Sequence, residues 1–203
     1  ASDTGVGKHF TSTPTLTYYQ LTLDTNVAYG MVLSAIVGGV ESTLTNPVTS
    51  YTLAAAPSAL VSNSASTATI NISWDAQGNP GTTPYEVSYS TDGFALYAST
   101  PAAFADNLTA VTTTVTSLTP GTTYTLRVRA RNGDLIASGF SVAVTTATRF
   151  KDPTSPTFSA VTTAALTLNW TDNGNPVGRA TYTYELHGDA AYTSLVSSAN
   201  IVG

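Results

Sequence analysis

The sequence predicts an all-β chain built from antiparallel sandwich units in tandem, and three observations carry that prediction. Apolar and polar residues alternate over short runs such as Ala68–Trp74 and Tyr124–Ala130, which is the period of a half-buried strand. Gly, Asn and Pro break those runs, as in Gly78-Asn79-Pro80 and Gly174-Asn175-Pro176. The runs recur after about 95 residues, close to the length of one sandwich.

Composition agrees. Of 203 residues, 42% are hydrophobic and only 9% charged, so the chain can bury enough surface to fold. Abundant Thr, Val and Tyr favour strands over helices. There is no cysteine, which excludes disulfides and thiolate metal sites. A net charge of −5 argues against a nucleic-acid partner, because phosphate binding needs clustered Lys and Arg. Arg127, Arg129 and Arg131 do cluster, on one strand face, and are expected to form a solvated surface. No apolar run is long enough to span a membrane as a helix. With no initiator Met, tag or signal peptide, the chain reads as a mature product or an excerpt, and its scarce charge and abundant Ser/Thr suit an extracellular or cell-surface setting.

Two pairs of segments define the repeat. In the first, Leu23, Tyr29, Met31, Leu33 and Ala35 match Leu118, Tyr124, Leu126, Val128 and Ala130, each a strand with alternate residues on one face. Gly38-Gly39 and Asn132-Gly133 then suit the positive φ of a tight hairpin. In the second pair, Ile70, Ile72 and Trp74 match Leu166, Leu168 and Trp170, each followed by Gly-Asn-Pro. Further strands are expected near Leu16–Leu21, Val48–Tyr51, Leu60, Tyr85–Tyr89 and Val144. The last segment offers Tyr182, Tyr184 and Leu186 with a one-residue insertion.

On these residues the chain resembles the fibronectin type III family, whose hallmarks are a Trp closing the second strand and a Leu-x-Pro-x-Thr-x-Tyr corner opening the sixth. The middle copy has Trp74, Leu118, Pro120, Thr122, Tyr124 and Ala130; the other copy has Thr25 where Pro is usual. The resemblance implies immunoglobulin-like β-sandwiches. It places a complete domain at 56–149, the C-terminal half of a domain at 1–55 and the N-terminal half of one at 150–203. The two halves would together rebuild one composite unit split between the chain ends.

A half-sandwich cannot bury its core face, and it exposes sheet edges that template further pairing. Closing the halves within one molecule would need a linker of about eight residues, reaching at most about 28 Å, to return along a domain of roughly 35 Å. Closure between molecules is unstrained and would generate a head-to-tail filament. Tyr29, Met31, Leu33, Ala35, Leu166, Leu168 and Trp170 are the expected assembly interface, and copies of the chain the expected partner.

Other motifs point nowhere catalytic. Thr4-Gly5-Val6-Gly7-Lys8 has Ser2 and His9 where a phosphate-binding loop needs Gly and Ser/Thr. His9 and His187 have no nucleophile arrangement, and Asp172-Asn173-Gly174-Asn175 lacks the closing Glu of a calcium loop. Arg131-Asn132-Gly133-Asp134 is an interrupted Arg-Gly-Asp and reads as a turn. Asn71, Asn107 and Asn169 head glycosylation sequons, so sugars on Asn or on Ser/Thr are candidate partners. No cofactor, metal or catalysis is expected. The leading expectation is a structural subunit of an extracellular filament. The alternative is an excerpt of a longer array, acting as a spacer in a secreted adhesin or polysaccharide-degrading enzyme. A lectin-like module is a third class without residues to support it.

Overall fold

The computed structural model describes residues 21–203. The strand expected near Leu16–Leu21, except Leu21 itself, lies outside them, as do the loop at residues 4–8 and His9.

The described residues form fifteen strands and one short 3-10 turn. The first four strands are β1 (Ala28–Met31), β2 (Ile36–Val37), β3 (Val40–Glu41) and β4 (Val48–Tyr51). β1 pairs with β4 and β2 with β3, all antiparallel. Together they make one long hairpin whose tip is Gly38-Gly39, both at positive φ as the sequence predicts.

The middle of the chain is a closed sandwich. β5 (Ser58–Ala65), β6 (Ile70–Asp75) and β9 (Thr112–Val115) form one sheet in the order β5-β6-β9. β7 (Tyr85–Ser90), β8 (Ser99–Ala102), β10 (Thr123–Ala130) and β11 (Val144–Ala147) form the other, in the order β11-β10-β7-β8. Ile70, Ile72 and Trp74 from the first sheet meet Tyr85, Val87, Leu126, Val128 and Ala130 from the second in one buried cluster. This is the alternation read from the sequence, and it makes the phase of both strands unambiguous, because a one-residue slip would turn every apolar side chain outward. Trp74 and Tyr85 meet edge to face at 5.3 Å.

The last segment holds β12 (Thr154–Ser159), β13 (Thr167–Thr171), β14 (Thr181–His187) and β15 (Leu195–Val202). β12 pairs with β13 and β14 with β15, giving two two-stranded sheets.

Two expectations need correction. Asn132-Gly133 is not a tight positive-φ turn: the left-handed residue there is Leu135, in a wider connection between β10 and β11. The reason is that the buried Asn132 side chain accepts from the N–H of Ile136 at 2.8 Å and donates to the C=O of Thr52 at 3.2 Å, which fixes the backbone around it. The arginine face is also not simply solvated. Arg127, Arg129 and Arg131 are half-buried and stack on phenylalanine rings.

Candidate functional site

The middle sandwich supplies a template against which both flanking segments can be compared bond by bond. In it, the hydroxyl of Tyr124 accepts from the N–H of Thr119 at 2.9 Å, the corner hydrogen bond of this kind of sandwich. In the first segment Tyr29 accepts from Asp24 at 3.0 Å, with the same spacing. Thr148 donates its hydroxyl to the C=O of Thr119 and accepts from the N–H of Thr122, and Thr52 does the same with Asp24 and Val27. Ser141 and Ser138 accept from the N–H groups of Val128 and Ala130, as Thr45 and Ser42 do from Leu33 and Ala35. The long hairpin of β1–β4 thus repeats the β10–β11 edge of the template, side-chain bonds included.

The final segment repeats the other part. Asn79 holds Ala55 through both backbone groups, at 2.9 and 2.8 Å, and Asn175 holds Lys151 likewise, at 2.8 and 2.8 Å. The Ser66 hydroxyl accepts from the N–H groups of Ala68 and Thr69, and Thr162 from those of Ala164 and Ala165. Trp170 packs against Tyr182 at 5.6 Å, as Trp74 does against Tyr85. Asp92 and Asp189 each knit a loop after the third strand. The Ser90 hydroxyl, then the N–H groups of Leu96, Tyr97 and Ala95, hold Asp92 down to about 2. The N–H and hydroxyl of Thr193 lower Asp189.

What differs is burial. Leu126 and Val128 are wholly buried, whereas their counterparts Met31 and Leu33 are 55% and 58% exposed. Ile70 is wholly buried and its counterpart Leu166 is 43% exposed. Of the expected interface, Tyr29, Leu168 and Trp170 are half-buried within their own segments and Ala35 is exposed. β1 and β14 each have one sheet neighbour, where the matching β10 and β7 have two. Between the layers of the last segment runs an open groove of about 720 Å³, lined by Phe158, Leu166, Leu168, Trp170, Tyr184 and Ile201.

A joint that sequence reasoning missed ties the first hairpin to the middle sandwich. The Asn26 side chain, 8% exposed, donates to the Thr83 hydroxyl at 2.7 Å and accepts from the N–H of Gly133 at 3.1 Å. Asp134 accepts from the N–H of Tyr51 and the hydroxyl of Ser50, both at 2.8 Å. The Tyr51 ring lies over Gly133, where a Cβ would overlap it. Ala54, next in the linker, is buried in the middle core. Asn132 and Asp134 were visible in the sequence only as turn residues, since their partners lie some 80 residues away.

This geometry of the middle sandwich coincides with a match to the family model of the fibronectin type III domain over residues 55–146. That segment is a fibronectin type III domain. The chain is also similar to chitinase A1 of Niallia circulans, at 31% identity over 123 residues, covering 56% of this chain and 16% of that protein. It therefore spans about a sixth of that relative's length. Among solved structures, a fibronectin type III-like protein from Clostridium thermocellum is 28% identical, covering 45% of this chain and 90% of its own, with a TM-score of 0.38. The fibronectin type III domain of human fibronectin type III domain containing protein 3 is 17% identical, covering 47% and 86%, with a TM-score of 0.40.

Around this fibronectin type III domain, the described residues hold no group of three His, Cys, Asp or Glu able to bind a metal. His187 contacts Glu185 at 3.2 Å and meets Tyr192 edge to face. No helix among the described residues is long and apolar enough to cross a membrane.

Proposed function

We propose that the chain is a non-catalytic, rigid spacer of tandem fibronectin type III units in an extracellular protein that acts on or adheres to polysaccharide. The observation that carries this reading is the joint. A flexible linker would leave its backbone solvated, but here Asn79, Asn132 and Asp134 hold residues 51–55 against the next unit, and Asn26 bonds across to Thr83 and Gly133. The similarity to a chitinase over a sixth of that protein's length fits a part that carries no catalysis of its own. Spin labels at Val40→Cys and Thr114→Cys, one on each side of the joint, test the rigidity. A single narrow distance distribution is expected, and a broad one rejects the spacer reading. Chitin hydrolysis by the purified chain would overturn its non-catalytic character.

A second reading rests on the open faces. Met31 at the end of β1 and Leu33 just beyond it, and Leu166, Leu168 and Trp170 on β13 and its approach, occupy positions whose counterparts form the middle core. In this reading the β1–β4 hairpin of one copy completes the β12–β15 layers of the next, and copies assemble head to tail into a filament. Val128 faces Val87 and Ala130 faces Tyr85 in the middle domain; carried over to the proposed joint, that register would set Leu33 opposite Tyr184 and Ala35 opposite Tyr182. The chain has no cysteine of its own, so Leu33→Cys with Tyr184→Cys gives a clean test. Facing strand residues lie about 4.5–5.5 Å apart, within reach of a disulfide. Oxidation should yield a ladder of crosslinked copies, while a pair moved to Glu185→Cys, on the opposite face, should not. A crosslink within single molecules only would sink the filament.

A further inference from the structure

The stripe of arginines on β10 is a built object. Arg127 lies between the rings of Phe94 and Phe140, its guanidinium 3.8 Å from each centroid. Arg129 sits over Phe140 at 4.7 Å and over Phe104 at 5.5 Å, and Arg131 over Phe104 at 4.7 Å. The order along the sheet is Phe94, Arg127, Phe140, Arg129, Phe104, Arg131. Each ring lies against a cation, and the arginines follow one another at every second residue of a strand, about 6.6 Å apart along it.

Three features separate this ladder from ordinary surface charge. First, only Arg129 has an acid partner among the described residues, Glu86 at 2.7 Å; Arg127 and Arg131 have none, and their Nε atoms are buried without a hydrogen-bond acceptor. Second, the repeat does not require the ladder: the matching positions on the first hairpin are Val32, Ser34 and Ile36. Third, three of the seven Lys and Arg residues of a chain of net charge −5 stand on this one strand.

From this, and resting on the polysaccharide setting proposed above, we infer that the β10 face of the middle domain is a binding site for a linear carboxylated polysaccharide, gripped at its carboxylates by Arg127 and Arg131. A guanidinium presents a planar fork that matches a carboxylate with two hydrogen bonds. Stacking on phenylalanine fixes that fork before the ligand arrives, which reduces the ordering cost of binding. Nucleic acid fits less well. Phe140 already lies against both Arg127 and Arg129, which leaves it less open to stacking by a base.

Titration of the full chain with polygalacturonate at low ionic strength and neutral pH tests the inference. Saturable binding is expected, weakening as salt rises. Arg127→Val with Arg131→Ile removes both free forks while keeping strand-forming residues. Each change should weaken binding by about tenfold, the value of a charge-assisted hydrogen bond, and the pair by about a hundredfold. The thermal transition of the double variant, read beside the titration, checks that the sandwich still folds. Absence of binding at low salt overturns the site, as does equal binding by a folded double variant. Tighter binding to duplex DNA than to polygalacturonate would overturn the assignment to polysaccharide.

Discussion

Asn79 takes both backbone hydrogen-bonding groups of Ala55, accepting from its N–H at 2.9 Å and donating to its C=O at 2.8 Å. The same amide also donates to the C=O of Ala76 at 2.7 Å, so a single side chain closes the loop after β6 onto the strand that enters the domain. Asn79→Ala leaves these backbone groups short of partners at a site that is 92% shielded. A destabilisation of about 2–3 kcal/mol is expected, read from urea unfolding of the middle domain. A cost below about 0.5 kcal/mol would mean the clasp is cosmetic.

The joint should loosen without the domain weakening. Asp134→Ala removes the acceptor shared by the N–H of Tyr51 and the hydroxyl of Ser50. Amide exchange at Tyr51 should accelerate roughly tenfold, as loss of a charge-assisted hydrogen bond implies. The melting temperature of the middle domain should stay within a degree or so, since a surface carboxylate contributes little to its core. Unchanged exchange at Tyr51 would show that Asn26 and Asn132 hold the joint alone.

Matched positions should respond very differently to truncation. Leu126→Ala empties a fully buried site and should cost about 2–5 kcal/mol. Met31→Ala, at the equivalent but 55% exposed position, should cost well under 1 kcal/mol in dilute chain. If copies assemble through these faces, the Met31→Ala cost should grow with protein concentration, because the side chain is then buried in the product. Chemical denaturation across a hundredfold concentration range measures both effects.

Acid should act on the Asp92 loop. The carboxyl is held at about 2, chiefly by the Ser90 hydroxyl and then by the N–H groups of Leu96, Tyr97 and Ala95, against an ordinary 3.8. A folded-state value below the unfolded one means the carboxylate contributes stability that is fully present above about pH 4. That contribution is lost as pH falls toward 2. Asp92→Asn should therefore lower the melting temperature at pH 6, and the gap to the parent chain should close between pH 4 and 2. A gap that persists at pH 2 would assign the effect to packing rather than to charge.

Much of the middle domain was legible because its signals are local. Ile70, Ile72 and Trp74 alternate, as do Tyr124, Leu126, Val128 and Ala130, and period-2 alternation decides which face a strand buries. The Leu-to-Tyr spacing around Tyr29 was readable for the same reason, since its corner hydrogen bond closes over five residues. The joint was not legible. Asn26 meets Thr83 and Gly133 only after two units have docked, and nothing near Asn26 announces either partner. The arginine ladder was half legible: alternation put Arg127, Arg129 and Arg131 on one face, but Phe94, Phe104 and Phe140 come from connecting segments outside the strand pattern.

The two linkers of the chain are fastened by unlike chemistry. Where Asn26 stands, hydrogen-bonded to Thr83 and Gly133, the next period has Gly121, and the Phe150 ring lies where a side chain at Gly121 would go. Both residues still give their N–H to the linker, Asn26 to Leu53 and Gly121 to Arg149. The backbone plan is thus shared by the two junctions, while their side chains differ. A shuffled array, with one unit moved to another's place, would keep every hydrophobic interior and mismatch at the seams.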